Sequence, residues 1–397
     1  MKRLFSILLC IVMMLNLLSG CSSGGGAAAG EETVAFTDSL GRTVQIPKEL
    51  TRIAPSGSVA TMILATIAPE YMVSVSATPS SAQYRYLPQN LLTLPTTGQM
   101  YGSKSTLNLE TLLSCNAQLV IDFGDRKENM EQDLDALQKQ IGIPVIFLEA
   151  DVAHMEKMYR TLGSILSGKE ARGNELADFA AETVAMAAEN SAKITDEERV
   201  RVMYTSGVSG LDTNADGSTQ AQVLSLVGAE NAVVVPEVSN RGGGNTINLE
   251  QLYNFDPDVI VFAAGSIYGT AAEDPAWNQL SAIRDGRYYE IPGMPYNWLS
   301  NPPSINMLLG VWWLGSLLYP QYYDYDMTEK TQEAFRVLWD YELSADEAEE
   351  MLQNSALMLM YGREAQSKTR IASPATIPKS GERNRKIHSC MLYLISI

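Results

Sequence analysis

Few side chains in this sequence are placed for bond-making chemistry. The chain has two histidines, His154 and His388, too few and too far apart to build a histidine metal site. Gly207-Val208-Ser209-Gly210 starts like a turn presenting a nucleophilic serine, but Leu211 stands where the closing glycine belongs. Asp212-Thr213-Asn214-Ala215-Asp216-Gly217 starts like a calcium loop, yet its twelfth position is Val223 instead of a bidentate glutamate. With no set of nucleophile, base and orienting group, no catalytic residue, metal ligand or cofactor is assigned, and the protein is read as a non-enzyme. The chemistry on offer is binding. Tyr296-Asn297-Trp298 brings aromatic and polar groups to a strand-to-helix loop, and Tyr101 sits on another Tyr-containing loop. Arg241-Gly242-Gly243-Gly244-Asn245 can cradle an anion with its backbone N–H groups, and Arg85 and Arg241 can pair with negative charge. Ligand contact is therefore expected from Tyr101, Arg241, Tyr296, Asn297 and Trp298.

The elements that must position these loops alternate between strand and helix, the pattern of parallel α/β lobes. Residues 34–47 read as a hairpin. The stretch from Arg52 gives a strand, a small polar loop and a helix to about Ala68. Residues 72–77 (MVSVSA) read as a strand. A strand at Gln118–Asp122 leads to an amphipathic helix with Met130, Leu134 and Leu137 on one face, closed by Gly142. Another buried strand, IPVIFLE, follows. From Val152 to Lys193 strand character disappears, and an Ala-rich helix from about Gly173 to Ala192 spans roughly 30 Å, long enough to join two lobes. The α/β rhythm then returns, with strands at RVRVMYTSG and NAVVVP, and ends in an apolar helix carrying Trp312 and Trp313 and further helices from Thr328 to Asn354.

One phrase occurs twice. LNLETLLSCNAQLVI (residues 107–121) and INLEQLYNFDPDVIV (residues 247–261) share Asn-Leu-Glu, a short helix and an apolar strand. Asn108 and Asn248 are the expected N-caps. Glu110 and Glu250 then fall in the first turn, where a carboxylate complements the helix dipole.

A net charge of −17 argues against nucleic-acid binding. Lys2-Arg3 followed by the apolar run Leu4–Leu18 reads as a secretion signal, too short for an ordinary membrane span. Leu17-Leu18-Ser19-Gly20-Cys21 resembles the bacterial lipobox, which implies that Cys21 is lipidated and leads the mature chain. Cys10 would leave with the signal, and Cys115 reads as a small buried apolar residue. The expected organisation is 1–20 lipoprotein signal peptide, 21–32 flexible tether, 33–151 N-terminal α/β lobe, 152–193 bridging helical segment, 194–355 C-terminal α/β lobe with terminal helices, and 356–397 a basic tail expected to be poorly ordered.

Taken together, the lipobox, TDSLGRTVQIP, RIAP, the two Asn-Leu-Glu phrases and the single bridging helix resemble the iron-siderophore, haem and cobalamin class of ABC-transporter substrate-binding lipoproteins. The resemblance spans about residues 33–354. It implies two α/β lobes with parallel sheets, a rigid connecting helix and a ligand cleft between the lobes. It further implies a metal-chelate ligand, most often an iron chelate, and delivery to an ABC permease dimer by a monomer held to the membrane through Cys21. Glu110 and Glu250 would dock the two permease subunits. The Thr-Glu that begins the first helix in many members is here Thr61-Met62, and this departure leaves the ligand open. A lipid-anchored surface hydrolase, or a binding module serving a sensor, are the alternative readings.

Overall fold

The computed structural model describes residues 32–101, 105–240 and 242–353. The expected secretion signal, Cys21, Arg241 and the tail 356–397 lie outside the described residues. Two separate α/β sheets form, one on each side of a long helix. In the first, β3 (Ile53–Pro55), β4 (Leu119–Gly124) and β5 (Val145–Glu149) run parallel in the order β3-β4-β5, and Val120 lies opposite Val145. Their residues are buried almost throughout, as both faces of a parallel sheet require. Helix α1 (Ser58–Ile67) follows β3. Helix α2 (Leu109–Ser114) leads into β4, and α3 (Met130–Ile141) crosses to β5. Met130, Leu134 and Leu137 of α3 face the core, and Gly142 closes the helix in the left-handed conformation. The hairpin β1 (Thr33–Thr37) and β2 (Thr43–Pro47) is tied on by the buried Arg42–Asp38 pair at 2.8 Å, with Arg42 also donating to the Val145 carbonyl.

Helices α4 (Met155–Ile165) and α5 (Glu170–Ser191) connect the sheets. The 22 residues of α5 span about 33 Å. It begins three residues before the expected Gly173, which instead lies inside it at the crossing with α4. A Cβ on Gly173 would come within 2.6 Å of the Gly163 Cα, so the two glycines let the backbones touch. Arg172 donates to the Thr66 carbonyl at the end of α1 and to the Val337 carbonyl in the C-terminal helices, fixing α5 on both sides.

The second sheet has the order β11-β10-β6-β7-β9, with β8 also paired to β6. It comprises β6 (Arg201–Ser206), β7 (Asp212–Thr213), β8 (Glu230–Asn231), β9 (Asn245–Thr246), β10 (Val259–Phe262) and β11 (Tyr288–Glu290). The strands β6, β8, β10 and β11 are parallel, and β7 and β9 add an antiparallel edge. Helices α6 (Gln222–Leu226), α7 (Leu249–Phe255) and α8 (Ser281–Arg284) connect them. The chain closes with α9 (Asn306–Leu318), α10 (Met327–Trp339) and α11 (Ala345–Leu352). Helix α9 packs on α5, where the Trp312 indole donates to Thr183 Oγ1 at 3.0 Å. Among the described residues no helix is long and apolar enough to cross a membrane.

Two expected strands are corrected. Residues 72–77 make only isolated bridges, because the segment changes partner from Ile53 to Pro95 and Thr97 within three residues. NAVVVP contributes only its first residue, Asn231, to the two-residue strand β8. Beyond it the Asn231 side chain takes the Val233 N–H, and Asp216 N–H donates to the Val233 carbonyl, so the chain leaves the sheet.

Candidate functional site

The carboxyl ends of β3 and β4 open into a cavity of about 380 Å³ between the two sheets, where parallel α/β lobes place their sites. On the first lobe its wall is Ser56-Gly57-Ser58 at the start of α1, with Tyr101, Asp122 and Lys127. On the second lobe it is Thr219, Gln220, Asn240, Asn301, Pro302 and Met307. Thr219 Oγ1 donates to Asp125 Oδ2 across the cleft at 2.5 Å, so the lobes touch through a charge-assisted hydrogen bond.

Local sequence explains the polar wall. Gly57 is the N-cap of α1 and has no side chain to cap with. The first turn contains no acidic residue, and among the described residues no side-chain cap accepts from its N–H groups. Those unsatisfied donors give the helix start a partial positive charge facing the cleft. Beside it, Asp122 is only 5% exposed. Its Oδ1 accepts a short hydrogen bond from the Ser56 hydroxyl, and its Oδ2 has no partner among the described residues. Burial pushes the Asp122 carboxyl up from the usual carboxylate range, opposed by the nearby Lys127 charge and the Ser56 hydrogen bond.

Lys127 lies over the Tyr101 ring, Nζ 4.5 Å from its centroid, a cation–π contact. The Tyr101 hydroxyl donates to Asp133 at 3.4 Å. Burial first, then the charges on Asp122 and Asp133, hold that phenol far above its ordinary value. Glu149, Asp151 and His154 bring donor atoms within 4.8 Å of one another at the cleft edge. Asp151 Oδ1 already caps a turn there, accepting from His154 N and contacting Nδ1 at 2.8 Å.

Of the residues expected to touch ligand, the structure brings Tyr101 into the cleft. Arg241 lies outside the described residues, although Gly242 of the same loop lines the cavity. Tyr296, Asn297 and Trp298 stand behind the wall. Asn297 Oδ1 accepts from the N–H groups of Leu299 and Ser300. Trp298 is fully buried and donates to the Met294 carbonyl at 2.9 Å. They shape the loop whose far half, Asn301–Pro303, reaches the cleft. Arg85 pairs with Glu347 away from the cleft. Sequence reasoning missed Ser56–Ser58, Asp122, Lys127 and the Thr219–Gln220 segment. The available signal was an aspartate ending an apolar strand, and a Ser-Gly-Ser joining a strand to a helix.

Each Asn-Leu-Glu phrase folds as its sequence suggests. Asn108 accepts from Thr111 N–H, and Asn248 from Gln251 N–H in a full capping box. Glu110 and Glu250 are exposed, and neither has an ion-pair partner among the described residues. Leu113 and Tyr253, each one turn further on, are 47% and 40% exposed.

A family model described as periplasmic binding protein matches residues 53–295. No curated protein matches the sequence. Among solved structures, an ABC transporter solute binding protein from Sulfurospirillum deleyianum is 25% identical with a TM-score of 0.73, covering 80% of this chain and 99% of its own. A periplasmic solute binding protein from Veillonella parvula is 20% identical with a TM-score of 0.67, covering 82% and 98%. The molybdate periplasmic binding protein MolA of Haemophilus influenzae is 19% identical with a TM-score of 0.64, covering 78% and 99%. With two sheets, one connecting helix and a cleft between them, the chain belongs to the periplasmic binding protein family and is an extracytoplasmic solute-binding protein, not an enzyme.

Proposed function

We propose that this protein is the lipid-anchored solute receptor of an ABC importer and that it captures a compact metal-containing solute, foremost a ferric chelate. Family membership implies an ABC permease partner and a small-molecule ligand. The observation that carries the ligand reading is the cleft itself, a cavity of about 380 Å³ with both polar and apolar lining, bridged by a hydrogen bond between the lobes. That volume lies near the low end of the ~300–1,000 Å³ range of small-molecule sites, which favours a compact chelate over a macrocycle such as haem or cobalamin. Ligand contact is proposed for Tyr101 and Arg241, with Tyr296, Asn297 and Trp298 holding the opposite loop in shape.

Permease docking is proposed for Glu110 and Glu250. Each is an exposed carboxylate, without an ion-pair partner among the described residues, in the first turn of a capped helix, one per lobe, beside an exposed apolar side chain. That pairing suits a partner with two subunits, so the transporter reading is preferred to the sensor reading. In a transport assay in cells, Glu110→Ala with Glu250→Ala is expected to abolish uptake while ligand affinity stays within a few-fold. Normal uptake at normal protein levels would reduce both glutamates to helix-dipole residues. Anchoring through Cys21 is tested by Cys21→Ala, which is expected to move the protein out of the membrane fraction. A diacylated cysteine supplies the two buried chains that stable attachment needs.

A further inference from the structure

The cleft wall contains a feature that solute binding in general does not explain. A carboxyl group that is 5% exposed leaves one oxygen without a partner among the described residues, an arrangement that is unfavourable unless something supplies the missing bond. The Asp122 side chain lines the same cavity as the uncapped start of α1. Two kinds of group therefore converge from one side. The first turn of α1 offers backbone N–H donors and the Ser58 hydroxyl, with a positive field. Asp122 offers Oδ2. Its Oδ1 is occupied, because Ser56 donates to it. Ionised, Asp122 would set a negative oxygen beside an anion-favouring helix end. Neutral, it carries a proton on Oδ2 and becomes another donor aimed at the same space.

We propose that this wall is an oxyanion seat, in which the ligand rests anionic oxygens on the α1 N–H groups and the Ser58 hydroxyl while a protonated Asp122 donates its O–H to one of them. The proposal rests on the solute-binding reading and names the face of the solute that the first lobe grips. Two sources share this chemistry: a free tetrahedral metal oxyanion, and the carboxylate oxygens of a metal chelate. The remaining charged groups of the cavity are consistent with such a ligand. Lys127, over Tyr101, adds positive charge beside Asp122. The negative groups Asp125 and Asp151 are engaged by Thr219 and by His154. The Asp122 neighbour on β5 is the apolar Phe147, and burial opposes its ionisation.

The test uses the mature exported protein, calorimetric titration with sodium molybdate, sodium sulfate and ferric citrate, and the variants Asp122→Asn and Asp122→Ala. Asparagine keeps shape and a donor but cannot ionise; alanine removes both. The expected result is binding of at least one probe, within roughly 3-fold for Asp122→Asn and weakened roughly 10-fold or more for Asp122→Ala. As pH rises, wild-type affinity relative to Asp122→Asn should fall as the Asp122 proton is lost. Tyr101, Lys127, Asp125, Asp151 and Ser56 are common to both proteins, so their titration cancels in that ratio. Binding of molybdate or sulfate alone assigns a free oxyanion, and of ferric citrate alone a chelate carboxylate. Loss of roughly 10-fold or more in Asp122→Asn, or relative affinity rising with pH, overturns the proposal by making Asp122 a carboxylate acceptor. Failure of all three probes also overturns it. A non-anionic molecule co-purifying with the protein would then show that the binding function stands without the seat.

Discussion

Asp122 is the residue on which the cleft turns, and its ionisation has a stability consequence. Its folded-state pKa is raised by burial. Its contribution to stability is therefore fully present below the unfolded value, near ~3.9, and is lost as pH rises through the folded value. Asp122→Asn removes that loss. The melting temperature of Asp122→Asn relative to wild type is expected to increase from about pH 4 upward and then level off. A difference that does not change with pH would mean that Asp122 ionises freely. Trp298 makes the opposite case. Its ring is fully buried and its indole N–H is satisfied by the Met294 carbonyl, so Trp298→Ala should cost about 3–5 kcal/mol of unfolding free energy. Ligand affinity in the fraction that folds should change little. Denaturant titration beside ligand titration separates the two effects. The sequence marked Trp298 as an aromatic on a loop, but residue type cannot say which way a ring faces. Asp122 is not legible as a site residue from sequence, because its partner, Ser56, lies just past β3 and meets it only through the β3–β4 pairing. The caps Asn108 and Asn248 were legible because a cap acts within three residues of itself.

At the scale of elements, the parallel sheets, the hairpin and the connecting helix could be read from periodicity and punctuation, since each is set by local pattern and burial. The strands that failed did so for non-local reasons. Residues 72–77 have strand composition but divide their hydrogen bonds between two partners, and NAVVVP is turned away by the Asn231 side chain. The glycines of the bridging segment read as interruptions, whereas two of them are the contact between α4 and α5. Gly173→Ala is expected to destabilise the protein by about 1–3 kcal/mol, although alanine is the better helix former. Its Cβ would meet the Gly163 Cα and the Tyr159 carbonyl at 2.6 and 2.7 Å. Stability equal to or above wild type in a denaturant melt would show that the crossing can relax.

At the scale of the molecule, α5 is held at its start by Arg172, which donates to the Thr66 and Val337 carbonyls, and midway by Trp312, which donates to Thr183. Closure is then a small hinge movement limited by that helix, and the Asp125–Thr219 hydrogen bond lies on the moving contact. Thr219→Val should speed ligand release roughly 3–10-fold with little change in melting temperature, as expected for loss of one partly exposed charge-assisted bond. An unchanged release rate by stopped flow would place the closing contact elsewhere. The central claim is that a compact metal-containing solute occupies the cleft. Native mass spectrometry of the protein purified from its own host tests it most directly. The account predicts a single stoichiometric adduct of small mass whose isotope pattern contains a metal, released on denaturation. A stoichiometric adduct without metal, such as a sugar or a peptide, would contradict it.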